Sequence, residues 1–226
     1  IVGDVSLPNS DELKVRIRDT FATQNRAVTQ QDYESFVYQM PPKFGSVKRC
    51  RILRDNDSLK RNLNLYLISE NRNGTLTESN SILKKNVKTW LQKNKMISDT
   101  IDILDAKVVN FSIEFVAVGR MDKSKFDVLE SAKRKLQQRF SRLPDIGEPF
   151  FITDVYSELR KVEGILDVTD VKIVQKIGTT NPNRGYSNIR FDLDRATSAD
   201  GRYIEMPKNV LYEVKFPAFD ITGAIV

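Results

Sequence analysis

The chain is expected to fold as α/β of the α+β kind: two small α/β sandwich units, each a mixed sheet with helices on one side, followed by a strand-rich C-terminal arm. Three observations carry this expectation. Segments with apolar residues at helical spacing alternate with segments in which every second residue is apolar. The order of elements in the first half partly recurs in the second. From Gly178 onward, turn formers and prolines interrupt short apolar runs. The expected divisions are residues 1–106, 107–178 and 179–226, the last either packed on its own chain or shared between subunits.

The first expected helix begins after Thr29. Its hydroxyl is placed to accept the backbone N–H of Asp32, whose carboxylate sits in the first turn where the helix dipole favours negative charge. Val28 and Tyr33 are spaced for a hydrophobic staple, Phe36, Val37 and Met40 continue the apolar stripe, and Pro41-Pro42 ends it. Two strands follow, near Val47 to Arg54 and Asn62 to Ile68. In the second, Leu63, Leu65 and Leu67 alternate with Asn62, Asn64 and Tyr66. Asn73-Gly74 marks a turn, and a helix runs from about Ser79 to Lys95 with Leu83, Val87, Trp90 and Leu91 inward. The clearest strand sets Val109, Phe111, Ile113 and Phe115 against Asn110, Ser112 and Glu114, and ends at Gly119. The unit boundary is expected between Asp99 and Val118.

In the second half a helix from about Ser124 to Arg142 carries Phe126, Leu129, Ala132, Leu136 and Phe140 inward, and Pro144-Asp145-Ile146-Gly147 closes it. Thr153 to Val162 forms another, with Gly164 free to take a left-handed cap. Val171, Ile173 and Ile177 then alternate with Lys172 and Lys176 as a strand. Beyond the turn-rich Thr179 to Gly185, the tail holds Tyr203, Ile204, Leu211, Tyr212, Val214, Phe216 and Phe219, broken by Pro207 and Pro217. Its strand edges need cover, either from the chain's own sheet or from another copy.

Composition narrows the chemistry. At 226 residues the chain can bury roughly 70–75% of its unfolded surface, enough for one large domain or two small ones. No run of eighteen apolar residues offers a membrane span. Ile1-Val2-Gly3-Asp4 has neither an initiator Met nor a signal-peptide pattern, so the segment is expected to belong to a longer polypeptide. With no His, the Ser-His-Asp and Cys-His nucleophile systems cannot be assembled within the chain, nor can a His metal site. The single Cys50 has no internal disulfide partner and sits in an expected strand, where packing is its role. No Gly-rich phosphate loop is present. No enzyme activity, cofactor or small-molecule substrate is expected.

Two rival readings rest on charge. The net charge of +6 gathers between Lys43 and Arg61, in Lys84, Lys85, Lys88, Lys93 and Lys95, and in Lys133, Arg134, Lys135, Arg139 and Arg142. That distribution raises a basic α/β nucleic-acid-binding module as the alternative, although no ribonucleoprotein motif or Gly-x-x-Gly loop accompanies it, and most of the helical cations lie opposite the apolar stripes, as on any solvated face. The second rival is a carboxylate-dependent hydrolase or cation site built from Asp99, Asp102 and Asp105, or from Asp154 and Glu158. Asp55-Asn56-Asp57 starts like a calcium loop, but Arg61 and Tyr66 stand where Gly and the bidentate Glu belong. Neither set is expected to be catalytic or to hold a metal.

A resemblance covers almost the whole chain. Arg26-Ala27-Val28-Thr29, then Asp32-Tyr33, a Pro stop and the basic strand Val47 to Ile52 resemble the opening of the baseplate J-like family of contractile-tail bacteriophages. Val162 to Val171 resembles the family's helix end, Gly turn and strand, with Gly164-Ile165 where Gly-Val is usual. Phe216 to Gly223 resembles the strand-forming end of such proteins. Within the family the likeness is to the C-terminal part of the baseplate wedge subunits of T-even-like phages. It implies a late structural protein of the virion tail, assembled in the host cytoplasm, that pairs with itself as a homodimer and with other baseplate wedge proteins to close a ring around the hub. Arg26, Thr29, Asp32 and Tyr33 then mark the domain's start, and Tyr212, Phe216 and Phe219 are the expected interface anchors.

Overall fold

The computed structural model describes residues 8–55, 62–71, 73–181 and 184–226. The fold is α+β, with mixed sheets in two compact units, Ile1–Ala106 and Lys107–Val226.

Unit 1 opens with α1 (Ser10–Ala22), a helix the sequence reading did not anticipate. It ends in a tight turn in which Gln24 and Asn25 take left-handed backbone angles, φ 47° and 62°. Next comes α2 (Gln30–Tyr38), whose start matches the expectation: the Asp32 N–H donates to Thr29 Oγ1 at 3.2 Å, and Asp32 Oδ2 accepts from the Thr29 N–H at 2.8 Å. This is a capping box with Asp in the position usually held by Glu or Gln. Thr29→Ala removes one half of it and is expected to lower unit 1 stability by about 1 kcal/mol in urea titration. The expected staple is not what seats Tyr33. Val28 is more than half exposed, whereas Tyr33 is buried and donates its hydroxyl to Asp99 at 2.7 Å.

A single 3-10 turn at Pro42–Phe44 leads into β1 (Arg49–Arg54), β2 (Asn62–Glu70), β3 (Leu76–Thr77), α3 (Ser81–Leu91) and β4 (Thr100–Asp105). The centre of this sheet is β2, antiparallel to β1 and parallel to β4, with β3 pairing its last two residues. Helices α2 and α3 press Phe36, Val37, Leu83, Val87 and Leu91 onto Cys50, Ile52, Leu65, Leu67 and Ile101. Trp90 flanks that core instead of filling it: partly buried, it donates its indole N–H to the Phe36 carbonyl at 2.8 Å. Strand β4 has no counterpart among the expected elements, because the alternation of Ile101 and Ile103 with Asp102 is short and Leu104 breaks it.

Unit 2 is organised on β5 (Lys107–Gly119). After it come α4 (Lys125–Phe140), β6 (Phe150–Phe151), α5 (Ile152–Arg160), β7 (Ile165–Lys176), β8 (Thr179–Asn181), β9 (Arg184–Gly185), α6 (Leu193–Ala196), β10 (Tyr203–Ile204), β11 (Val210–Glu213), α7 (Pro217–Asp220) and β12 (Ile221–Ile225). On one edge β5 pairs with β7, antiparallel; on the other it pairs in parallel, first with β11 at Lys107 to Asn110 and then with β12 at Ile113 to Ala117. The stretch 179–226 is therefore not a separate arm, since β11 and β12 complete the sheet of unit 2 within the same chain.

Two details of the expected core differ. Phe126 is 70% exposed, and the inward stripe of α4 is Val128, Ala132 and Leu136 at four-residue spacing. The expected polar face of β5 is also partly buried. Asn110 bridges outward to the Ser187 N–H (2.7 Å) and Glu213 (3.1 Å), and Ser112 donates to the Val174 carbonyl (3.2 Å), so the chain near Ser187 covers that end of the sheet. Hydrogen bonding is what makes burial of those two side chains tolerable.

Candidate functional site

The signature residues assemble one structural joint. Thr29 and Asp32 start α2, and Tyr33 ties that start to the segment after α3 through Asp99 and through the Met96 N–H, which donates to its hydroxyl at 3.3 Å. Burial, reinforced by the Asp99 carboxylate, pushes the Tyr33 hydroxyl up to about 12, so it stays a donor across the working pH range. Ala27 is buried and its N–H reaches the Asn94 carbonyl at 2.9 Å. Arg26 is exposed, and among the described residues its side chain forms no ion pair. The motif is thus a junction of three segments with one cation left facing out.

A polar tether that sequence reasoning missed fixes α1 to β1 and to the end of α2. Arg49, nearly fully buried on β1, reaches Glu12 at 2.5 Å; Glu12 also holds Arg16 at 2.7 Å, and the Arg16 guanidinium lies 4.0 Å from the centre of the Tyr38 ring. Burial pushes the Glu12 carboxyl up, but Arg49 and Arg16 outweigh it and hold the group below its ordinary value of 4.5. A carboxyl depressed in the fold adds stability above its unfolded pKa and loses it as pH falls through the folded value. Docking of α1 is therefore expected to weaken below about pH 4.5. Amide protection factors from Leu13 to Ala22 should drop there first, and Glu12→Gln should show the low-protection state already at pH 7. The only signal in the sequence was a Glu and an Arg four residues apart.

The carboxylate sets do not converge. Asp102 and Asp105 are three residues apart on a strand and so face opposite sides. Asp99 accepts from Tyr33, Asp102 from Asn62 at 2.8 Å, and Asp105 from the Ser79 N–H at 3.0 Å and from Lys84 at 2.5 Å. Asp154 pairs with Arg139 at 2.7 Å, and Glu158 with Lys161 at 2.7 Å. Among the described residues no three His, Cys, Asp or Glu side chains gather as a metal site would need. Of the calcium-loop-like stretch, Asn56 and Asp57 lie outside the described residues.

The basic clusters are interleaved with acid. Lys84, Lys85 and Lys88 line an open cleft of 510 Å³ in unit 1, but Asp55 and Asp102 line it too. On α4, Arg139 and Lys135 are engaged with Asp154 and Glu158. A groove that tracks a phosphate backbone needs a positive stripe without such neighbours.

The three tail aromatics have different surroundings. Tyr212 stacks on Phe111 at 5.9 Å and meets Phe150 edge-on at 5.1 Å, inside the unit 2 core. Phe216 packs edge-on against Tyr186 at 5.5 Å, whose hydroxyl donates to the buried Asp220. Phe219 is 56% exposed, with the Arg184 guanidinium 3.4 Å over its ring.

No family model matches the chain, and no curated protein matches it. Its fold is similar to that of a chain in the cryo-EM structure of the anti-feeding prophage (AFP) baseplate, 6-fold symmetrised, with a TM-score of 0.54 at 12% identity over 91% of this chain. The protein spans 41% of the length of that baseplate chain. At this identity the likeness is one of fold, and membership of the J-like family does not follow from it.

Proposed function

We propose that the protein is a structural component of a virion tail baseplate, a wedge subunit of a contractile phage tail that associates with itself and with other wedge proteins and helps close a ring around the hub. The carrying observation is a fold similar over 91% of the chain to that of a baseplate chain. The resemblance of the Arg26 to Tyr33 start, the Val162 to Val171 segment and the Phe216 to Gly223 end of this sequence to baseplate J-like proteins supports the same reading. The role uses no catalysis. It asks for a persistent interface of order 1,500 Å² that can shift between two arrangements when the sheath contracts. Sedimentation velocity of the intact chain tests it. A weight-average mass that rises above the monomer with concentration is the expected result, and a monomer at every concentration up to hundreds of micromolar would sink the self-association.

A further inference from the structure

Two surfaces of opposite kind lie open on the molecule. On α1 the tethered side is polar: Glu12 and Arg16 face Arg49 and the Tyr38 ring, and no residue of the helix is buried. Its apolar residues point elsewhere. Leu13, Ile17 and Phe21, at four-residue spacing, form one ridge, exposed by 47%, 62% and 89%. A surface helix ordinarily turns its apolar stripe inward, so a tethered helix with the stripe outward marks an interaction surface. Beside the ridge stand Lys14, paired at 3.3 Å with Asp11, and Arg18.

The second surface is the outer face of the β5 sheet, away from the core. Glu114, Val116 and Val118 of β5 stand opposite Lys172, Asp170 and Asp167 of β7, and Thr222 and Ala224 of β12 extend the row on the other edge. Their cross-strand core counterparts, Phe115 with Val171 and Ala117 with Val168, are buried on the far side. Val116 is half-buried and the rest of this outer row is exposed, with Leu166 protruding at a register shift beside Asp167. Its charge is three carboxylates to one lysine. Asp167 is held by Arg160 at 3.0 Å, while among the described residues Asp170 and Glu114 have no ion pair, and neither has Arg18 on the ridge.

We propose that the α1 ridge of one copy lies across this open sheet face of a second copy, in a head-to-tail contact that rests on the self-association proposed above. A sheet open on one face is completed by a helix laid on it, which is the layer pairing that folds themselves use. The charges agree, with Arg18, which has no ion pair among the described residues, meeting Asp170 and Glu114 beside the Lys14–Asp11 pair. Ridge-to-ridge pairing of two antiparallel α1 helices is disfavoured, because it brings Lys14 and Arg18 of one copy against the same cations of the other. A contact that joins two different patches propagates from copy to copy and closes a ring when its rotation allows.

The test uses two surface variants of the intact chain, Ile17→Asp on the ridge and Val118→Arg on the sheet face, each first shown by circular dichroism to keep the wild-type spectrum and melting point. Each alone lacks one half of the contact, so each should sediment as a monomer at concentrations where wild type associates. Mixed one to one, the intact ridge of the Val118→Arg copy meets the intact face of the Ile17→Asp copy, and the mixture should give a species of twice the monomer mass and nothing larger. Variants that associate as wild type does would overturn the contact while leaving the proposed self-association standing. Monomeric variants that stay monomeric on mixing would overturn it too, since the ridge and the face then serve different partners. A monomeric wild type would remove the self-association itself.

Discussion

A chain truncated after Gly178 should lose the cooperative unfolding transition of unit 2. The cut removes β11 and β12, which together form one whole edge of β5, and with them Ile204, Met206, Val210, Leu211, Val214 and Ile221, all buried. Each fully buried aliphatic side chain contributes about 1.5–3 kcal/mol relative to exposure, so losing six removes about 9–18 kcal/mol, as much as the 5–15 kcal/mol that a whole domain commonly has. The exposed edge of β5 would also invite non-native pairing. Thermal unfolding followed by circular dichroism, with limited proteolysis mapping the fragments, checks this: digestion should run through 107–178 while 8–106 resists. A sharp unit 2 transition in the truncated chain would contradict the pairing of β11 and β12 with β5. The same expectation rules truncation out as a probe of assembly, because an unfolded unit 2 changes association for reasons unrelated to any native interface. Surface substitutions such as Ile17→Asp avoid that confusion.

Much of the fold was legible because local signals and burial agreed. The Thr29 cap, the Asn73-Gly74 turn, the Gly164 turn at φ 106° and the alternation along β5 each follow from one residue type at one position. The elements that escaped are those whose environment is set by distant parts of the chain. Helix α1 carries its apolar stripe outward and is held by ion pairs to Arg49, so hydrophobic periodicity gave no inward face to find. Strand β4 is interrupted by two aspartates that have partners on β2 and around α3. The tail posed the hardest case: its strands pair with β5 about a hundred residues upstream, and no local pattern distinguishes such pairing from exchange with another copy. The expected anchors were likewise chosen by residue type alone, which says nothing of whether an aromatic already has neighbours in its own unit.

Phe111→Ala is expected to destabilise unit 2 by about 3–5 kcal/mol, the usual cost of emptying a fully buried aromatic site. The ring is fully buried and central, 5.8 Å edge-on from Phe150, 5.9 Å stacked on Tyr212 and 6.3 Å from Phe191. Those contacts bring together β5, β6, β11 and the segment before α6, so the cavity would loosen elements distant in sequence. For a unit of this size the loss corresponds to a fall in melting temperature of roughly 10–20 °C, readable by calorimetry. Tyr212→Ala should follow the same course, reduced only by its partial exposure, because its ring shares that cluster. Phe219→Ala should not: the side chain is 56% exposed beneath Arg184, and its removal should leave stability within about 0.5 kcal/mol. This contrast decides how the tail aromatics can be interrogated. Weaker association in Tyr212→Ala would only report a damaged core, whereas weaker association in Phe219→Ala, at an unchanged melting temperature, would identify a true intersubunit contact.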